Sequence, residues 1–174
     1  MPGKRVQLDD ETWQALDLLA IFGRAGIDPA TVVAIGALFG PSQVASRLCE
    51  FAFAGNAHPL HVARAAFGLI VCAFAVLALA GISVPVAAAF AIMFGVSNGL
   101  VTIARGTVPL ALFGPTGYGR LIGRIAGPYL TMQSAAPLVL AFVAERFSDA
   151  AALALACGFA LVALGCFIAI RRPG

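Results

Sequence analysis

Arg105, Arg120 and Arg124 stand with Asn98 and Thr102 in the stretch 98–124, NGLVTIARGTVPLALFGPTGYGRLIGR, which lies between two long apolar runs. Asn98, Thr102 and Arg105 are spaced i, i+4 and i+7, so on a helix they share one face while Leu100, Val101 and Ile103 cover the rest. An amide, a hydroxyl and a guanidinium aligned in this way can hydrogen-bond a polar partner and offset negative charge. Exposed to hydrocarbon they would be costly, so the stripe is expected to look inward. Gln43, Arg47 and Glu50 repeat the same spacing earlier in the chain. This is chemistry of binding and not of bond making. The sequence has no G-x-S-x-G, no Walker loop and no H-E-x-x-H, and no apolar run holds paired carboxylates, so no enzyme is expected and an ATP-driven role in this chain is excluded.

The elements that position these groups follow from composition. The chain has 174 residues, of which 61% are hydrophobic and 11% charged, and its mean hydropathy is +0.97. A soluble domain carries about a quarter charged residues, so this one has too few to cover a surface facing water. The expected fold is all-α: a polytopic membrane protein with five transmembrane helices, at about 29–54, 65–81, 85–104, 118–144 and 149–170. Pro41 is expected to kink the first, where Gly36 and Gly40 form a small-xxx-small contact surface. Gly106 to Gly117, rich in glycine and proline, reads as a connector. Beyond it Gly119, Gly123 and Gly127 recur every four residues on the next helix. The stretch 55–64 reads as a loop holding His58 and His61, either interfacial histidines or, on spacing alone, a two-histidine metal site with no carboxylate or cysteine beside it. Cys49, Cys72, Cys157 and Cys166 lie in or near apolar runs with no CxxC pair, and read as small membrane-buried side chains. No cofactor or metal is expected.

Residues 1–28 form a separate segment. Lys4 and Arg5 are followed by Asp9, Asp10, Glu11 and Asp17 and not by an apolar run, so this is no secretory signal. Asp9 or Asp10 offers an N-cap, and Trp13, Leu16 and Ala20 follow at helical spacing. The first twenty or so residues resemble the opening of a ribbon-helix-helix domain, and read equally as an amphipathic helix lying on the membrane surface.

Basic residues are divided unevenly between the two ends of the spans. The face holding the first loop, the third loop and the C-terminus has Arg47, Arg64, Arg105, Arg120, Arg124, Arg171 and Arg172, and the opposite loops have only Arg146, beside Glu145 and Asp149. By the positive-inside tendency the C-terminus is expected to be cytoplasmic, with the protein in the cell inner (plasma) membrane. With five spans the N-terminal segment then lies outside, so nucleic acid is not an expected partner.

Three blocks carry a family resemblance: GPSQVASR at 40–47, GVSNGLVTIARGTVPLALFG at 95–114 and YGRLIGRIAGP at 118–128. On these, residues 30–172 resemble the C-terminal part of a major facilitator superfamily transporter, its last five helices, hence a partial C-terminal six-helix bundle. Of that family's basic loop motif only Arg47 and Arg64 stand nearby, without its aspartate and glycine. The resemblance implies a secondary transporter in which two halves rock about a small solute near the bilayer midplane. It makes Gln43, Asn98, Thr102 and Gln133 candidates for the substrate pathway. Arg47, Glu50, Arg105, Arg120 and Arg124 become candidates for a cytoplasmic charge network, against the plainer reading of arginines that anchor helix ends at phosphate headgroups. Gly119, Gly123 and Gly127 become a helix-packing seam. The expected partners are membrane lipids, the solute, and either a second copy or a separate chain carrying the first half. The contrasting expectations are a membrane-anchored regulatory protein and a gene-fragment product without activity of its own.

Overall fold

The structure is a computed structural model that describes residues 22–23, 26–53 and 58–170. The helix expected within residues 1–20, and with it the ribbon-helix-helix resemblance, lies outside the described residues. All the described regular structure is helical: α1 Pro29–Gly36, α2 Phe39–Phe53, α3 Pro59–Ala80, α4 Val84–Phe113, α5 Tyr118–Arg146 and α6 Asp149–Ala169. Five segments are long and apolar enough to cross a membrane: Pro29–Ala52, Pro59–Ala80, Val84–Phe113, Tyr118–Arg146 and Asp149–Ala169.

Local chemistry sets the helix starts. The Asp28 carboxylate accepts from the main-chain N–H of Ala30 at 3.1 Å and of Thr31 at 3.4 Å, with Pro29 at the first helical position. His58 caps α3 through Nδ1, which accepts from the Leu60 N–H at 3.3 Å, and Pro59 follows it. Ser148 caps α6, its hydroxyl oxygen accepting from the Ala151 N–H at 3.1 Å. The first span breaks at Ala37 and Leu38, one turn before Pro41. Proline has no N–H to give the Ala37 carbonyl and its ring crowds that turn, which is why α1 and α2 are two helices.

Helix α4 is the centre of the bundle. It packs against α2 on one side and α3 on the other, α3 packs against α6, and α6 against α5. Phe39 and Ser42 lie opposite Gly95, and Gln43 and Ser46 opposite Gly99, so α2 runs parallel to α4. The buried Ser97 hydroxyl donates to the Ala66 carbonyl at 2.7 Å, and Leu60 and Ala63 pack with Ala104 and Val108, so α3 runs antiparallel. One apolar cluster fills the end of the bundle away from Arg47, Arg64 and Arg105. In it Phe22 meets Phe90 edge-on at 6.1 Å and Phe74 meets Phe90 at 5.4 Å, and Ile27, Val32, Ile35, Phe39 and Leu77 join them. Residues 22 and 27, from the N-terminal segment, therefore belong to this core.

Two helices exceed their sequence expectations. α3 begins at Pro59 and not near 65, which places His61 on the helix and His58 at its cap, so neither stands in a free loop. α4 continues through Gly106 and Pro109 to Phe113, where a connector was expected. Val108 and Leu112 pack against Leu60, Phe167 and Ile170, and this contact holds the extra turns together despite the proline. The turn that follows uses Gly114 at φ 73° and Gly117 at φ 74°, a backbone region where a side chain would be strained.

Candidate functional site

The polar groups of α2 and α4 meet along a seam of small residues. Helices in lipid associate through close packing, and here a Cβ built on Gly95 would stand 2.9 Å from the Ser42 Cβ and 3.0 Å from the Phe39 carbonyl oxygen. At Gly99 it would meet the Ser46 hydroxyl and stand 2.7 Å from the Gln43 carbonyl oxygen. That approach brings Arg47 across to α4, where its Nη2 donates to the Thr102 hydroxyl at 3.4 Å. Thr102 spends its own proton on the Asn98 carbonyl at 2.9 Å. The Nε of Arg47 is buried with no hydrogen-bond partner, and it is the one buried side-chain nitrogen or oxygen among the described residues in that condition. Gln43, Arg47, Asn98 and Thr102 are all half-buried. Two expected pathway residues are thus joined, through Thr102, to a residue expected in the charge network.

The charge network itself is not one assembly. Among the described residues none of Arg47, Glu50, Arg105, Arg120 and Arg124 forms an ion pair with another. Glu50 lines a separate cavity of about 380 Å3 between α2, α3 and α4, with Ser46, Cys49, His61 and Leu100. The guanidinium of Arg105 lies over the ring of Tyr129, 4.1 Å from its centroid, a cation–π contact that pins α5 to α4. The Tyr118 hydroxyl adds a second pin by donating to the Gly106 carbonyl at 2.8 Å. Arg120 and Arg124 are exposed.

Arg64 does what no sequence signal singled out. From the start of α3 its Nε donates to the Phe167 carbonyl at 3.0 Å, and its Nη2 to the carbonyls of Ile168 at 3.4 Å and Ile170 at 2.9 Å. The last carbonyls of a helix have no partner within it and carry partial negative charge, so one cation closes the end of α6. The start of α3 and the end of α6 therefore lie at the same end of the bundle.

No residue of α5 is buried. Pinned at its base and tethered to α6 at its top, it stands off from α3 and α4 and leaves a groove of about 670 Å3. The groove is walled by Phe67, Ile70 and Phe74 of α3, Phe94 of α4, Leu153, Ala156 and Ala160 of α6, and on α5 by a face running from Tyr129 to Glu145. Gln133 lies on this wall, beside Pro137. Gln43, Asn98 and Thr102 do not line it, so the four pathway candidates divide between the groove and the α2–α4 seam. Gly119, Gly123 and Gly127 are exposed, and a Cβ at any of them meets nothing within 4 Å. The glycine seam formed among the described residues is that of Gly95 and Gly99.

His58 and His61 stand edge-on with ring centroids 6.4 Å apart, and no group of three or more His, Cys, Asp or Glu among the described residues is placed to hold a metal ion. The four cysteines are free thiols. Compared with family models, curated proteins and solved structures, the chain finds no match.

Proposed function

We propose that this is a multi-pass protein of the inner membrane that supplies one wall of the solute pathway of a secondary transporter of the major facilitator type, with its arginine-bearing end and C-terminus in the cytoplasm. The observation that carries the reading is the groove behind α5. It is a concave surface of about 670 Å3 with Gln133 and Tyr129 on an otherwise largely apolar wall, which is how small-molecule sites are built. A helix without a single buried residue leaves the groove open along its length, and in this reading a second copy or a separate chain closes that opening. The blocks at 40–47, 95–114 and 118–128 supply the family part of the proposal, and the gathering of Arg47, Arg64 and Arg105 at one end of the bundle supports the orientation.

The experiment is a comparison of small solutes inside and outside cells that express the chain with cells that express Gln133→Leu. At least one solute should be depleted or accumulated by the first and not by the second. If no solute differs between expressing and empty cells, the transport reading is wrong and the bundle is an anchor.

A further inference from the structure

The guanidinium of Arg47 is under-satisfied in a way the rest of the bundle is not. Of its five N–H groups one is engaged, by a hydroxyl at the long distance of 3.4 Å, and Nε is buried without an acceptor. No carboxylate pairs with it among the described residues, although Glu50 stands one turn away on the same helix. A positive charge held half-buried without a counter-charge is destabilising, and such groups persist where something else supplies the negative charge. Nε and Nη2 form the side-on fork of the guanidinium, the edge that takes two oxygens of one carboxylate or phosphate. The hydroxyl of Thr102 touches Nη2, and Asn98, half-buried, stands one turn away on the same helix face as Thr102.

We infer that Arg47, with Thr102 and Asn98, is an anion site that receives a carboxylate or phosphate on the Nε and Nη2 edge. The anion displaces the long bond to Thr102, whose hydroxyl then turns to the ligand, and the orphaned Nε gains its acceptor. Arg47 lies within two turns of the end of α2, about 9 Å along the axis, so both a dissolved anion and a lipid phosphate reach it from the arginine-bearing end. The site lies on the α2–α4 seam, apart from the groove behind α5, and stands without the transport reading. Binding is measured without flux, so the two ideas fail separately.

The test uses the full chain purified in an uncharged detergent, with thermal unfolding followed as inorganic phosphate replaces chloride at constant ionic strength. A parallel arm uses nanodiscs of phosphatidylcholine with and without phosphatidylglycerol. The wild type should show a saturable rise in unfolding midpoint in at least one arm. Arg47→Gln should abolish it, Arg47→Lys should weaken the apparent affinity tenfold or more because the fork is lost, and Thr102→Val should weaken it severalfold. Without anion, Arg47→Gln should be at least as stable as the wild type, since it removes an uncompensated charge. A rise in the phosphate arm identifies a dissolved anion as the ligand, and a rise only with phosphatidylglycerol identifies a headgroup. Equal responses from wild type and Arg47→Gln, or no response in either arm, would overturn the site.

Discussion

Arg64 and Ile170 are joined across 106 residues of sequence by a hydrogen bond of 2.9 Å from guanidinium to main-chain carbonyl. With the bond to Phe167 at 3.0 Å it fastens the end of α6 to the start of α3. Hydrogen bonds from a charged donor contribute about 1.5–3 kcal/mol when the partner is otherwise unsatisfied. Arg64→Gln should therefore lower stability by about 2 kcal/mol and speed hydrogen exchange of the amides at 166–170, while Arg64→Lys keeps part of both. Unchanged exchange in Arg64→Gln would mean that the end of α6 is held by packing alone, through the Phe67–Phe167 stack at 5.0 Å.

Two sets of glycines make opposite predictions. Gly99→Ala places a methyl against the Ser46 hydroxyl and 2.7 Å from the Gln43 carbonyl oxygen, so α2 must move away from α4. Overpacking of this kind costs about 1–3 kcal/mol. Gly123→Ala and Gly127→Ala enter open space and should lie within about 0.5 kcal/mol of the wild type in thermal unfolding of the isolated chain. Should Gly127→Ala instead destabilise the chain as much as Gly99→Ala, another helix packs on that face of α5.

The pin between Arg105 and Tyr129 sets how far α5 stands from α4. At an exposed site a cation–π contact contributes about 0.5–1 kcal/mol, enough to bias the position of a helix with no buried residue without unfolding it. With nitroxide labels at positions 92 and 138, Tyr129→Leu should broaden the distance distribution and leave overall stability nearly unchanged. An identical distribution in the two proteins would show that the contact holds nothing in place.

Much of this architecture was legible from periodicity and composition. The five apolar runs and the break before Pro41 follow from residue type and spacing, whereas the arginine that reaches Thr102 is Arg47 of α2 and not the Arg105 of its own stripe, which lies over Tyr129. The helix ends were harder. His58 and Pro59 look like loop residues until the cap they form is recognised, and Gly106 with Pro109 looks like a connector because the contacts that hold the helix there come from Leu60 and Phe167, distant in sequence. The glycine repeat at 119, 123 and 127 is more conspicuous in sequence than Gly95 and Gly99, yet among the described residues it is the second pair that meets another helix. Nothing local marks a glycine that faces a partner, because the signal lies in the opposing Ser42 and Ser46. The groove could not be read in advance. It exists because α5 is attached at its two ends and stands off between them, and that is a property of tertiary contacts.

The most direct test of the central claim, that the α5 face bearing Gln133 borders a solute pathway and its other face does not, is labelling by a charged, membrane-impermeant maleimide. Cysteines are introduced singly in a background where Cys49, Cys72, Cys157 and Cys166 are alanine. Gln133→Cys and Ala136→Cys, on the groove wall, should react in intact membranes, while Leu138→Cys and Phe142→Cys, exposed but off that wall, should not. Equal reactivity at all four positions, or reaction only at 138 and 142, would contradict the account.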